Sequence, residues 1–555
     1  MWSWLEKERT VAPPDYSRWM VPPAALCIHL CIGMAYGFSV FWLPMTRLVG
    51  ITESKPWPAD YAFVAKLYST SYDWDKPVLG WIYTLFFVFL GCSAACFGPW
   101  LERAGPRKAG VVAAGCWSGG LVVAALGVYL HQLWLVWLGL GVIGGIGLGL
   151  GYISPVSTLI KWFPDRRGLA TGMAIMGFGG GAMIGSPLAD RLMTWFASPD
   201  SVGVWETFLV LAVIYFIFMM LGAWAYRLPP AGWRPAGRRT AQPGQSERID
   251  WARADRFVTP GDAVQTKSFW LLWLVLCLNV SAGIGVIGMA SPLLQEIFGG
   301  RLIGSDLSFE RLDASQLRAI AAVGAGFTGL LSLFNIAGRF FWASASDYLG
   351  RKTTYALFFL LGAIAYAAVP AVGQSGNIRL FVAVFCFILT MYGGGFATIP
   401  AYLSDLFGTH MVGAIHGRLL TAWSVAGILG PVLVNYWNAY QIAAGVPRGS
   451  AYDQTLYILA GLLVLGFFCN LGIRSLPDQI FVTVPPAAHA PSPATRPDIK
   501  PVSALTEEPL GSEPGTLSGS QRRLLIAFWL LVLLPMAWGA WMTLKQTGVL
   551  LLGPG

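Results

Sequence analysis

The sequence predicts an all-α polytopic membrane protein: two six-helix halves, twelve spans, and one extra C-terminal transmembrane helix. Three observations predict it. Of 555 residues, 55% are hydrophobic and only 12% charged, too little charge to cover a soluble protein of this length. Apolar runs long enough to cross ~30 Å of hydrocarbon recur along the chain. Three pairs also repeat at one offset: Glu102 and Asp347, Gly105 and Gly350, and Pro155 and Pro400 are each separated by 245 positions. That repeat, falling in two different parts of each half, indicates a tandem duplication.

Candidate spans of the first half (residues 1–227) lie at 22–46, 77–99, 108–129, 133–160, 168–193 and 205–227. Those of the second (268–474) lie at 268–297, 318–344, 353–373, 378–404, 414–437 and 453–474. Six spans return the chain to its starting side, so the halves share one orientation. The loops 100–108, 161–167, 228–267, 345–352 and 405–413 then fall together, carrying Arg103, Arg107, Lys108, Lys161, Arg166, Arg167, Arg351 and Lys352. Positive-inside logic makes that face and the N-terminus cytoplasmic, in a multi-pass protein of the cell (inner or plasma) membrane. The same logic accounts for the net charge of +9 without a nucleic-acid partner.

The polar stretch 228–267, with Pro229, Pro230, Pro235, Arg238 and Arg239, reads as a connector long enough to let the halves rock. Residues 475–521, rich in Pro, Ser and Ala, read as a disordered linker. Arg522 and Arg523 then open an apolar run to Leu544 (522–545), a thirteenth span that puts the C-terminus outside, with an anchor as its plainest role. Gly141, Gly145 and Gly149, with Gly147 and Gly151, recur every fourth residue and let helices approach closely. The N-terminus carries Glu6 and Glu8 and lacks a cleavage pattern, so no signal peptide is read. All eight cysteines fall within spans, which argues against a disulfide framework. No HExxH, phosphate loop, nucleophile–base pair or metal cluster is present, so neither an enzyme nor a cofactor is expected.

Arg339 is the only lysine or arginine placed deep within a span. Its cost there is roughly 2.5–3.5 kcal/mol on the mildest scale, tolerable if it faces a watery cavity or an anion. It stands about eight residues, hence ~12 Å, from Asp347 at the span's edge, too deep for easy snorkelling. The chain is therefore expected to carry something negative. Glu102, Arg103, Gly105 and Arg107 in LERAGPRK and Asp347, Gly350 and Arg351 in SDYLGRK form a duplicated loop. Their acids can face helix N-termini while the basic residues meet lipid phosphate or the neighbouring half, forming a latch.

Two parallel six-helix halves with this duplicated loop resemble the major facilitator superfamily. Finer elements resemble the oxalate–formate antiporter family: KWFPDRRGLATG (Lys161–Gly172), AYGFSVFWLP (Ala35–Pro44), GLGYISP (Gly149–Pro155), FNIAGRFFWASASDYLGRK (Phe334–Lys352) and YGGGFATIPAYLSDLFG (Tyr392–Gly408). The likeness covers most of residues 20–475. It implies alternating access by a monomer and an aromatic box with cations from spans eight and eleven. By position the first cation is Arg339, and the box aromatics are Tyr36, Tyr152 and Tyr392, with Phe178 and Phe396 at two further tyrosine positions. Trp423 stands where the second cation, a lysine, is implied, and Ala35 replaces a glutamine.

One cation balances one negative charge. A small monocarboxylate (formate, lactate, acetate or glycolate type) is therefore expected, since a dianion opposite Arg339 alone leaves uncompensated charge in low dielectric. Asn335, one turn away, is a candidate substrate donor, and Trp423 a candidate for stacking on the guanidinium. Anion exchange and proton symport both remain open; no buried acid near Arg339 stands ready for a proton, and His29 reads as the only deep histidine. The rivals are a dicarboxylate (oxalate) exchanger, an anion channel, and a cation or sugar facilitator.

Overall fold

The computed structural model describes residues 3–13, 16–51, 55–58, 61–74, 76–230, 233, 256–483 and 518–552. The first half contains α1 (Val21–Ile32, continued as a 3-10 turn Gly33–Phe41), α2 (Lys76–Ala104), α3 (Pro106–Tyr129), α4 (Leu133–Trp162), α5 (Arg167–Phe196) and α6 (Val204–Ala225). The second contains α7 (Lys267–Phe298), α8 (Ala314–Leu349), α9 (Arg351–Gln374), α10 (Ile378–Phe407), α11 (Val412–Leu419 and Thr421–Ala443) and α12 (Asp453–Gly472). A last helix, α13, spans Gly519–Leu552. Among the described residues, twelve helices are long and apolar enough to cross a membrane; α13 is one of them, and α8, with 36 residues, is not counted among the twelve. The first span is thus an α-helix in its first part and a 3-10 helix beyond Ile32.

Helix ends follow from local sequence. Gly105 and Gly350 take positive φ (87° and 84°), so each ends one helix and starts the next within a single residue, at equivalent places in the two halves. Thr266 caps α7 by accepting from the Phe269 N–H, and Asn377 caps α10 through Leu380 N–H. The repeat appears in the packing as well: α3 lies on α6 as α9 lies on α12. The glycines of α4 are contact points, since a Cβ at Gly147 would lie 2.5 Å from Trp117 N and one at Gly149 2.5 Å from the Leu90 carbonyl oxygen.

The halves meet along α5–α8 and α2–α11, again an equivalent pair. The all-α expectation needs one small addition, an antiparallel ladder of β1 (Arg256–Phe257) with β2 (Val482–Thr483). The rest of the connector (231–232, 234–255) and the expected disorder at 484–517 lie outside the described residues. α13 packs on α1, α5 and α8, so it touches both halves. There Val532 is buried with Leu26 and Cys27, and Trp538 lies 5.2 Å below the Arg191 guanidinium.

Candidate functional site

Glu102 and Asp347 each reach into the opposite half. Asp347, at the end of α8, accepts from the Gly168 and Leu169 N–H groups in the first turn of α5 (2.8 and 2.9 Å). Glu102, at the end of α2, accepts from Gly413 N–H in the first turn of α11 (3.1 Å), from Ser157 Oγ (3.1 Å) and from Lys161 Nζ (2.6 Å). A carboxylate on free N–H groups at a helix start satisfies orphan donors and complements the helix dipole. The basic partners stay at home. Arg351 pairs with Asp347 (2.5 Å) and Asp405 (3.1 Å), both in its own half. Arg107 donates to the Trp4 and Tyr226 carbonyls (2.8 and 3.1 Å), whereas exposed Arg103 reaches only the Pro99 carbonyl of its own helix. Among the described residues the partners of these three arginines lie in their own halves, and the contacts that cross are made by the two acids. Glycines permit the approach: a Cβ at Gly168 would strike the Ala343 carbonyl oxygen, and one at Gly98 would lie 2.8 Å from Ala414 Cα.

Above this closed end, six aromatics from five helices converge on Arg339. The guanidinium is fully buried, its carbon 5.6 Å from the Phe178 ring of α5 and 5.5 Å from the Phe396 ring of α10. Its Nε donates to Asn335 Oδ1 (2.7 Å) and its Nη1 to the Ile175 carbonyl (3.2 Å), while Nη2 has no hydrogen-bond partner. Among the described residues no carboxylate pairs with it. Asn335 is thus a positioning partner of the arginine, which orients the fork from one turn away.

Tyr36 of the first half and Tyr392 of the second meet at their hydroxyls (3.4 Å). Tyr36 packs edge-on against Phe178 at 4.9 Å, and Tyr392 edge-on against Phe396 at 5.3 Å. Trp423 does not stack on the guanidinium. Its ring lies 4.3 Å from Phe396, 5.3 Å from Tyr152 and 5.6 Å from Phe178, so two phenylalanines take the cation–π faces and the indole backs them. The Tyr152 hydroxyl and the Trp423 Nε1–H are buried without partners, as is Arg339 Nη2. The site is an aromatic chamber packed around one cation, with three donors left without partners.

Sequence reasoning missed His416. It begins the eleventh span, where a histidine reads as interfacial, yet it is fully buried with its ring 5.7 Å from Tyr152. His29, the histidine it singled out, is engaged by backbone: Nδ1 is 2.5 Å from the Ala174 carbonyl oxygen and Nε2 is 3.3 Å from that of Tyr152.

The two halves thus cross at glycine-lined seams, with the aromatic cluster around Arg339 between them, an arrangement suited to a membrane transporter. Residues 25–431 match the Major Facilitator Superfamily, and the chain belongs to that superfamily. It is a transporter-family protein, not an enzyme. It is similar to the oxalate:formate antiporter of Oxalobacter formigenes, 25% identical over 57% of this chain and 68% of that one. Apicoplast pyruvate carrier 1 of Toxoplasma gondii is 26% identical over 54% of this chain and 59% of its own. Among solved structures, the proton:xylose symporter XylE aligns with a TM-score of 0.56 at 15% identity, over 82% of this chain and 96% of that one, a likeness of fold alone.

Proposed function

We propose that this protein is a secondary active carrier of small monocarboxylates, of the formate, lactate, acetate or glycolate type, working by alternating access. One observation carries the reading: Arg339 is fully buried with an open donor and, among the described residues, no acid to neutralise it. A buried, unpaired guanidinium is costly by several kcal/mol, and a carboxylate arriving at Nη2 offsets that cost with a charge-assisted bond. Tyr36, Tyr152 and Tyr392 supply hydroxyls for its remaining oxygens, while Phe178, Phe396 and Trp423 exclude water and suit a small organic tail. The similarity to carriers named for oxalate, formate and pyruvate supports a small carboxylate as cargo.

The single charge selects within that class. Oxalate beside Arg339 leaves one negative charge uncompensated in a dry chamber, so a monoanion is preferred. The carrier acts as a monomer in the cell membrane with the latched, basic end toward the cytoplasm, where Glu102 and Asp347 hold that end shut. Release of those caps and closure of the opposite end deliver the anion across.

Uptake of labelled lactate, formate and oxalate into cells producing the protein, with trans-stimulation by preloaded anion, tests the reading. Lactate and formate should be taken up and exchanged. Currents far above carrier turnover, or uptake insensitive to monocarboxylates, would replace the carrier with a channel or with a carrier for another solute.

A further inference from the structure

The chamber's open groups extend toward the basic end beyond the arginine. Tyr152 joins this extension to the chamber: its ring centroid is 5.3 Å from that of Trp423, 5.7 Å from that of Phe178 and 5.7 Å from that of His416. His416 is fully buried, and neither ring nitrogen has a hydrogen-bond partner. The Tyr152 hydroxyl lacks one as well. Leaving a buried donor or acceptor unpaired costs about 1–3 kcal/mol, so an imidazole with two open nitrogens is a poor packing residue. A buried leucine or phenylalanine would fill that place without the cost.

The charged and titratable groups around His416 are otherwise committed. On α2, Glu102 is bound to Lys161, Ser157 and the Gly413 N–H. On α4, Lys161 is held by Glu102, leaving Tyr152 as the open group. On α1, His29 is engaged with two backbone carbonyls. On α10, Asp405 pairs with Arg351 and the Tyr402 hydroxyl donates to Asn470. On the short helix Pro260–Ala263, Asp262 accepts from Thr259 Oγ1. On α11 itself Arg418 donates to the Pro260 carbonyl.

We propose that His416 is the proton-binding site of this carrier: one open nitrogen takes a proton as the anion binds Arg339, and both are released on the far side. The Tyr152 ring, 5.7 Å from the imidazole, stands beside both it and the chamber aromatics. This rests on the monocarboxylate reading above and supplies its coupling ion. The charge balance is complete. Empty, the site holds Arg339 alone, one positive charge; loaded, it holds Arg339, the protonated His416 and one anion, again one positive charge. Loaded and empty carriers then cross with the same net charge, and transport is electroneutral. Without the proton, loaded and empty states differ by one charge in low dielectric, which favours obligatory exchange.

The test uses purified full-length protein in liposomes, with labelled lactate and an internal pH dye, and protein-free liposomes as background. A gradient of one pH unit, alkaline inside, should drive about tenfold lactate accumulation by wild type, because one unit and one proton per anion amount to a tenfold ratio. The dye should report acidification of the lumen in step with uptake. His416→Gln, checked for folding by gel filtration, should lose the accumulation while retaining lactate–lactate exchange at equal pH within about twofold. Wild-type lactate movement without lumenal acidification overturns the proposal whatever the variant does. So does gradient-driven accumulation retained in His416→Gln, or loss of exchange along with accumulation in the folded variant, which would place His416 in the anion site. A wild type that neither accumulates nor exchanges any monocarboxylate would instead defeat the functional reading on which this rests.

Discussion

The two places where the halves meet are built in opposite ways. At the basic end, Glu102, Lys161, Asp347 and Arg351 all have partners, two of them helix starts in the opposite half. In the chamber above, Arg339 Nη2, the Tyr152 hydroxyl and Trp423 Nε1 have none. A saturated crossing stabilises one closed arrangement by itself. An unsaturated one leaves free energy to be gained by a guest, and only a guest with acceptors and negative charge can gain it. The contrast separates residues that hold the carrier shut from residues that recognise what it carries.

Breaking the chamber should have the largest effect. Arg339→Gln removes the one cation found there among the described residues, and breaking a buried charge pair costs roughly 2–5 kcal/mol, so lactate transport should fall about 100-fold or more with the fold intact. Initial rates in liposomes check this; near-normal transport would move recognition away from Arg339. Next comes the closed end. Asp347→Asn weakens the two caps to Gly168 and Leu169 and the pair with Arg351, shifting the balance toward an open basic end by about 1–3 kcal/mol. Distances between spin labels on the α5 and α8 ends should lengthen in a larger fraction of molecules, with lactate binding itself preserved. Glu102→Gln should act likewise on the α2–α11 crossing.

Selectivity changes should be smaller. Trp423→Lys adds a second cation beside the first and should favour oxalate over lactate by about tenfold, read as the ratio of inhibition constants; an unchanged ratio counts against charge matching. Smallest is Tyr36→Phe, which keeps the ring against Phe178 and removes one hydroxyl. It should raise the lactate KM by about three- to tenfold, the worth of one hydrogen bond.

The same contrast explains what the sequence disclosed. The duplication was legible because Glu102 and Asp347, Gly105 and Gly350, and Pro155 and Pro400 keep one spacing; the shared positive φ of the two loop glycines shows why that spacing persists. That an acid would cap a helix was readable; that it would cap a helix of the other half was not, because crossing partners are set by tertiary packing. Arg339 stood out because a cation in an apolar run is rare. Trp423 packs among the aromatics around Arg339, but whether the indole or the phenylalanines face the guanidinium depends on side-chain direction at the α11 break, which the sequence does not disclose. His416 was hidden because burial near a span's edge depends on neighbouring helices, here α2 and α4, rather than on its own hydropathy.

The most direct test of the central claim, that one unpaired buried cation selects a singly charged anion, is ligand-induced thermal stabilisation of the purified protein. Lactate and formate should raise the melting temperature of wild type in proportion to the logarithm of their concentration, oxalate should do so weakly, and Arg339→Gln should respond to none of them. Stabilisation of wild type by oxalate equal to or above that by lactate, or an undiminished lactate response in Arg339→Gln, would contradict the account.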